Sequence, residues 1–202
     1  MLKRILLVGI TLVLVFSSYK LWKVYQFNQL ATDTRGQELS ALPIKGTFSL
    51  TDHNGNAVTE ATYKGRHTMV FFGYTYCPDV CPTALLDIGT VMDNLGDKAK
   101  NIVPLFVTVD PKRDTVEVMR DYLENFHPSI VGLTGNTDEI NEASKSFRAY
   151  FGKVIMDASD PDGYMMSHSA RIYLMGPDAK PILNFKHGES VENITKKIQE
   201  VL

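Results

Sequence analysis

Apolar residues recur along this chain with two different periods, and the places where the period changes mark its elements. Residues 67–76 (HTMVFFGYTY) and 102–109 (IVPLFVTV) are near-continuous apolar runs bounded by turn residues, the pattern of strands buried on both faces. Between them, from Pro82 onward, Leu85, Ile88, Val91, Met92 and Leu95 fall three and four apart and Gly96 follows as a stop, which predicts an amphipathic helix. The alternation repeats with a helix over 115–126 carrying Val116, Met119, Tyr122 and Leu123, then a very short strand over 130–133. The spacing of Ile140, Ala143, Phe147 and Tyr150 predicts a further helix over 138–151. Residues 170–175 and 181–186 flank the turn Gly176-Pro177-Asp178-Ala179 as a hairpin, and residues 191–202 close as a helix. Ahead of all of these, residues 46–59 show two short strand-like arms around Asn54-Gly55, the type I′ hairpin signal. This order predicts an α/β domain built on a mixed sheet with helices on both faces.

The N-terminal pattern is of another kind. Residues 5–16 are an uninterrupted apolar run behind Lys3 and Arg4, extended by Ser17, Ser18 and Tyr19. A span needs about 20 residues, so the run is short, but Tyr19, Trp22 and Tyr25 supply an interfacial aromatic belt and Lys20 can snorkel. A cleaved signal peptide shares the positive start and apolar core, yet no small-x-small cleavage site follows closely and no cysteine near the start offers a lipidation site. The expected organisation is a membrane anchor or uncleaved signal over 1–26, a polar tether over 27–42 and one domain over 43–202. Such a segment exports the domain and leaves Lys3 and Arg4 in the cytoplasm. With no Arg- and Ser-rich transit sequence, the expected location is a bacterial inner membrane, with a single N-terminal span and the domain in the periplasm.

Composition excludes more than it assigns. A chain of 202 residues accommodates one domain with a sizeable core, and a formal net charge of -2 without any block of like charge offers no surface for nucleic acid. The chemistry has to be sought in a site.

The chain has two cysteines, Cys77 and Cys81, in the run TYCPDVCPTALL. Cys77 follows the end of the first buried strand and Cys81 precedes the next helix, so the pair lies at the carboxyl end of a sheet strand, where open α/β sheets place their sites. With Pro82 at the first helical position, the free amides and dipole of the helix start favour thiolate over thiol. A structural disulfide across three residues closes so small a loop that it stabilises little, and inert buried thiols do not suit a Pro-rich surface turn. A functional pair remains, and in an oxidising compartment it is either a redox dithiol or a metal-protected pair. The C-x3-C spacing is one residue longer than the thioredoxin-type exchange motif. Residues four apart at a helix start let both sulfurs face one ion, and two soft thiolates select copper(I) or zinc once an iron–sulfur cluster is excluded by the cysteine count.

A third ligand is expected among five histidines. His53, His67, His127 and His187 read as solvated loop residues, whereas His168, within DPDGYMMSHSARIYLM, lies on a glycine-containing loop that leads directly into a central strand. Met165 and Met166 are thioethers beside it, with gap-filling as their simpler role.

Three motifs in order, YTYCPDVCP after a buried strand, VTVDPKRDT at the end of the second, and Tyr164-x-x-x-His168-Ser169 before a strand ending in Gly176-Pro177-Asp178, resemble the Sco/SenC family of copper chaperones. The resemblance runs from about Ile44 to Leu202. It implies a thioredoxin-like fold with an N-terminal β-hairpin and inserted elements, and one copper ion, monovalent or divalent, held by Cys77, Cys81 and His168. It also implies a metallochaperone that helps to assemble the dinuclear copper centre of cytochrome c oxidase subunit II in the respiratory chain. Another periplasmic copper chaperone or a thiol reductant is an expected further partner. Many members carry an acidic residue just before the histidine, where this chain has Ser167. Asp79, Asp110 and Arg113 match the family pattern; none is expected to touch the metal itself, and the simpler role of Asp110 and Arg113 is an ion pair that caps a turn. The alternative is a membrane-tethered thiol-disulfide reductase, with Cys77 attacking the copper-site cysteines of that subunit and Cys81 resolving through a disulfide bond.

Overall fold

In a computed structural model of the chain, which describes residues 44–155 and 163–202, the two continuous apolar runs become adjacent parallel strands at the heart of a sheet. They are β3 (His67–Gly73) and β4 (Ile102–Thr108). Met69, Val70, Phe71, Phe72, Leu105 and Phe106 on them are essentially without solvent exposure, because helices cover both faces. The expected anchor over 1–26 and tether over 27–42 lie outside the described residues. Among the described residues no helix is long and apolar enough to cross a membrane.

The remaining strands of this sheet are β1 (Ser49–Asp52), β2 (Ala57–Thr59), β5 (Val131–Thr134), β8 (Arg171–Met175) and β9 (Pro181–Lys186). Their order is β2-β1-β5-β4-β3-β8-β9. β3, β4 and β5 are parallel, while β8 joins β3 antiparallel with Val70 opposite Tyr173. Among the described residues four α-helices follow the expected positions: α1 (Val80–Leu95), α2 (Val116–Leu123), α3 (Thr137–Phe147) and α4 (Val191–Val201).

Successive strand residues point to opposite faces, and β3 shows which helix covers which. Phe72 packs its ring 5.4 Å from Phe147 of α3. On the other face, a Cβ built on Gly73 would lie 2.8 Å from the Cys81 sulfur of α1. α4 packs against α1, and Tyr122 of α2 lies 6.0 Å from Phe106, a residue that also borders the Gly73 position. The result is the expected thioredoxin-like mixed sheet with helices on both faces and an N-terminal hairpin ahead of it.

Four local expectations change. The Asn54-Gly55 turn is not type I′, which requires a positive φ at both central residues, because Gly55 alone of the two has one, at 87°. Asp52 sets the turn instead, its Oδ1 accepting from the amides of Asn54 and Asn56 at 2.8 Å each. Helix α1 starts at Val80, two residues before Pro82, since a proline in the first turn forfeits no intrahelical bond. Helix α3 stops at Phe147, where Arg148 turns left-handed at φ 51° and its amide closes back on the Ser144 and Lys145 carbonyls. Tyr150, expected on that helix, is 72% exposed. Phe151 instead opens a hairpin of β6 (Phe151–Ile155) and β7 (Tyr164–His168), a separate two-stranded sheet inserted between α3 and β8. His168 is therefore the last residue of a strand, where a loop was expected.

Candidate metal centre

The chain leaves β3 through a turn closed by the Cys77 amide on the Tyr74 carbonyl at 3.3 Å, and enters α1 with Asp79 at the N-cap position. Asp79 makes no side-chain cap bond. The amide of Cys81, in the first turn, instead donates to the Cys77 sulfur at 3.4 Å. This geometry folds the C-x3-C loop back on itself and turns the two sulfurs toward one side.

His168 meets them from the inserted hairpin. One ligand atom each from Cys77, Cys81 and His168 lies within 4.8 Å of the others, and Cys81 Sγ is 3.4 Å from His168 Nε2. Both cysteines are free thiols. Cys77 and His168 are half-buried and Cys81 is fully buried, so the cluster is reached by solvent at Cys77 and His168 and closed at Cys81. The three residues named from the sequence thus come together in space.

Burial decides the protonation states. At Cys81 desolvation pushes the thiol well above its ordinary value, partly offset by a backbone hydrogen bond at Tyr74. The expectation that the helix start favours thiolate fails at this residue, because loss of solvent outweighs the dipole. A bound cation would supply the compensating charge. Desolvation also lowers the His168 pKa and keeps the imidazole neutral, the form a metal requires. The ring lies edge-on to Phe71 and Tyr74, with centroids 6.0 and 5.9 Å away. Its Nδ1 has no hydrogen-bond partner among the described residues.

The other sequence candidates separate cleanly. His53 Nδ1 accepts from the Gly132 amide at 3.0 Å, and His127 is held between Ser129 at 2.7 Å and Asp93 at 3.3 Å; neither is the simple solvated loop residue expected. Met165 receives a 3.9 Å contact from the Tyr74 hydroxyl, consistent with its gap-filling role. Ser167 is exposed, across from Gly152. Asp110 and Arg113 form the expected ion pair, and both also engage Tyr164 at the start of β7.

Two supporting residues were not legible in the motifs. Asp114 is fully buried and accepts from the Thr75 amide at 3.1 Å, the Thr75 hydroxyl at 2.6 Å and the Thr108 hydroxyl at 2.6 Å. It thereby ties the residue two before Cys77 to the end of β4. Gly73 is the second, and a glycine inside a strand pattern is itself the signal of a close approach. An added Cβ would meet Phe106 at 2.7 Å and the Cys81 sulfur at 2.8 Å. Gly73→Ala is therefore expected to cost about 1–3 kcal/mol of stability through overpacking. It should also speed thiol-reagent labelling of Cys81 in the folded protein. A urea titration with labelling kinetics checks both, and parent-like values in each would refute the packing argument.

The model of the SCO1/SenC family matches residues 36–202. Protein sco1 of Schizosaccharomyces pombe is 40% identical over 154 residues, 76% of this chain and 59% of that protein. Protein SCO1 homolog 1, mitochondrial, of Arabidopsis thaliana is 35% identical over 161 residues, 79% of this chain and 47% of that protein. The chain thus spans about half the length of these two curated relatives, at 59% and 47%. The solved structure of Bradyrhizobium japonicum ScoI with copper bound matches with a TM-score of 0.71 at 42% identity, over 79% of this chain and 99% of that one.

Proposed function

This chain belongs to the SCO1/SenC family, and from that premise we propose that it carries one copper ion as cargo on Cys77, Cys81 and His168. The recipient proposed is the dinuclear copper centre of cytochrome c oxidase subunit II, and the protein is a metallochaperone. The observation that carries the reading is the convergence of two sulfurs and an imidazole nitrogen within 4.8 Å. Two thiolates form a soft pair suited to copper(I), and a borderline imidazole lets the same site accept copper(II). Two thiolate charges neutralise a divalent ion and leave one negative charge on a monovalent complex. The copper-bound relative from Bradyrhizobium japonicum supports copper over zinc as the cargo. Because the ligands come from a cysteine loop and from a separate hairpin, withdrawal of the hairpin opens the site toward the recipient. The domain is proposed to work in the periplasm, tethered to the inner membrane by residues 1–26, on the sequence pattern of that segment.

A second reading follows from the unequal burial of the sulfurs. Cys77, the more exposed, can attack a disulfide in the recipient, and Cys81 can then attack the mixed disulfide. This chain ends as a disulfide and the recipient as two thiols, a two-electron exchange. The experiment that separates the readings is copper titration of the reduced full chain in detergent, followed by mixing with the copper-free recipient domain, in one arm reduced and in a second arm in its disulfide form. The expected result is one copper per chain with sulfur-to-copper charge transfer, then its appearance in the recipient. A parent chain that stays copper-free yet reduces the recipient's disulfide would overturn the chaperone reading in favour of the reductase.

A further inference from the structure

The hairpin that carries His168 needs an anchor. β7 pairs with β6 in a sheet separate from the main one, and a two-stranded hairpin has little stability of its own. Its mooring lies at Tyr164, four residues before His168 and on the same face of the strand. Tyr164 is buried, and its hydroxyl donates to Asp110 Oδ1 at 2.9 Å. Its carbonyl accepts from Arg113 Nη1 at 3.0 Å, and the Arg113 guanidinium stacks over its ring at 3.8 Å. Arg113 Nε is ion-paired with Asp110 Oδ2, so the acid that holds the phenol also fixes the guanidinium.

The same guanidinium reaches the other half of the site. It lies 4.8 Å from the ring of Tyr76, the residue before Cys77, and 5.9 Å from the ring of Tyr74, which is edge-on to His168. Asp110 and Arg113 belong to the turn between β4 and α2, which supplies no metal ligand. That turn nevertheless touches both segments that do.

We propose that Arg113, oriented by Asp110 and stacked on Tyr164, is a positioning residue that moors the His168 strand to the cysteine loop and so sets how firmly the third ligand is held. This rests on the copper-carrier reading for its consequence, though the mooring itself does not need copper. A planar fork stacked on one ring and bonded to a carbonyl is a role that lysine cannot reproduce. Outer partners that orient a metal ligand are worth about 10–100-fold in affinity.

The test uses the full chain in detergent. Arg113→Ala is expected to accelerate copper(II) release to a chelator by about 10–100-fold and to broaden the copper spin-resonance spectrum, with Arg113→Lys close behind it. Tyr164→Phe, which keeps the ring and loses the bond to Asp110, should have a smaller effect. In a His168→Ala background, Arg113→Ala should add nothing, because the residue acts through His168. A copper-free measurement accompanies these: hydrogen exchange at the amides of 164–168 should speed up in Arg113→Ala while those of β3 and β4 keep their rates. Unchanged exchange at 164–168, parent-like copper release in Arg113→Lys, or an equal acceleration in the His168→Ala background would each overturn the proposal. If the parent takes up no copper, the carrier reading falls and the exchange measurement still decides the mooring.

Discussion

Cys81→Ser is expected to end copper retention, taking the chain from stoichiometric loading to none that survives passage over a chelating resin. The expected loss in affinity is at least about 100-fold, the upper end of what losing even an outer partner costs a metal site. Cys81 is the centre of the cluster, fully buried, 3.4 Å from His168 Nε2 and bonded through its amide to the Cys77 sulfur. A serine hydroxyl is a hard, neutral donor that does not ionise near neutral pH, so the soft pair is reduced to one thiolate. The fold should survive, since Ala84, Leu85 and Ile88 still pack the helix and the new hydroxyl lies beside a neutral imidazole that can accept from it. Loading also has a sign in pH. Burial keeps Cys81 protonated in the free protein, so copper must displace that proton, and apparent affinity falls about tenfold per unit of acidification for each proton released. Cys81→Ser should flatten that dependence by one proton. Metal analysis of the desalted variant, with a titration at two pH values, checks both, and stoichiometric copper on Cys81→Ser would remove this residue from the site.

The sequence carried the main sheet because its central strands advertise themselves. β3 and β4 are buried on both faces, so nearly every residue from Thr68 to Gly73 and from Ile102 to Thr108 is apolar or small. The helices were equally legible, since Leu85, Ile88, Val91, Met92 and Leu95 keep a helical period over one buried stripe. The inserted hairpin had no such signal. β6 is half-buried or exposed along its length and β7 is mostly intermediate, so neither alternates apolar with polar residues. Tyr150 and Phe151 happen to continue the period of α3, and nothing local marked Arg148 as the residue that leaves the helix.

The site divides in the same way. The cysteine pair was readable as a strand-to-helix turn, but its meeting with His168 spans 87 positions, and no periodicity reports a contact of that range. The resemblance to a family supplied that link, and in the structure one ligand atom from each of the three residues lies within 4.8 Å of the others. The Arg113 mooring is tertiary in origin, for it exists where the β4 turn, the cysteine loop and β7 meet. The run VTVDPKRDT shows the charges of Asp110, Arg113 and Asp114, and their separate duties appear when each is traced to its partner. Asp114 takes the cysteine loop through Thr75, and Arg113 takes the hairpin through Tyr164.

His168→Ala is expected to split the two oxidation states of copper, which the loss of a cysteine would not do. Copper(II) needs the imidazole to complete a nitrogen and sulfur coordination, so its affinity should fall by about 100-fold or more, beyond the loss of an outer partner alone. Copper(I) is content with two thiolates, and Cys77 and Cys81 remain, so its affinity should fall much less. The substitution is structurally mild. His168 Nδ1 has no hydrogen-bond partner among the described residues, so its removal orphans no donor there, and β7 stays moored at Tyr164 by Asp110 and Arg113. What is lost is the 3.4 Å contact between Nε2 and the Cys81 sulfur and the edge-on contact with Phe71 and Tyr74, the latter about 1–2 kcal/mol for a pair of such contacts. Delivery to the recipient should fail with the imidazole, because the arm that closes and opens the site no longer bears a ligand. Titration with each oxidation state under matched chelators, followed by transfer to the recipient domain, gives the comparison. Parent-like copper(II) binding and transfer by His168→Ala would sink the three-ligand site, whereas equal losses of both oxidation states would mean that the imidazole holds the thiolate pair in place more than it holds the metal.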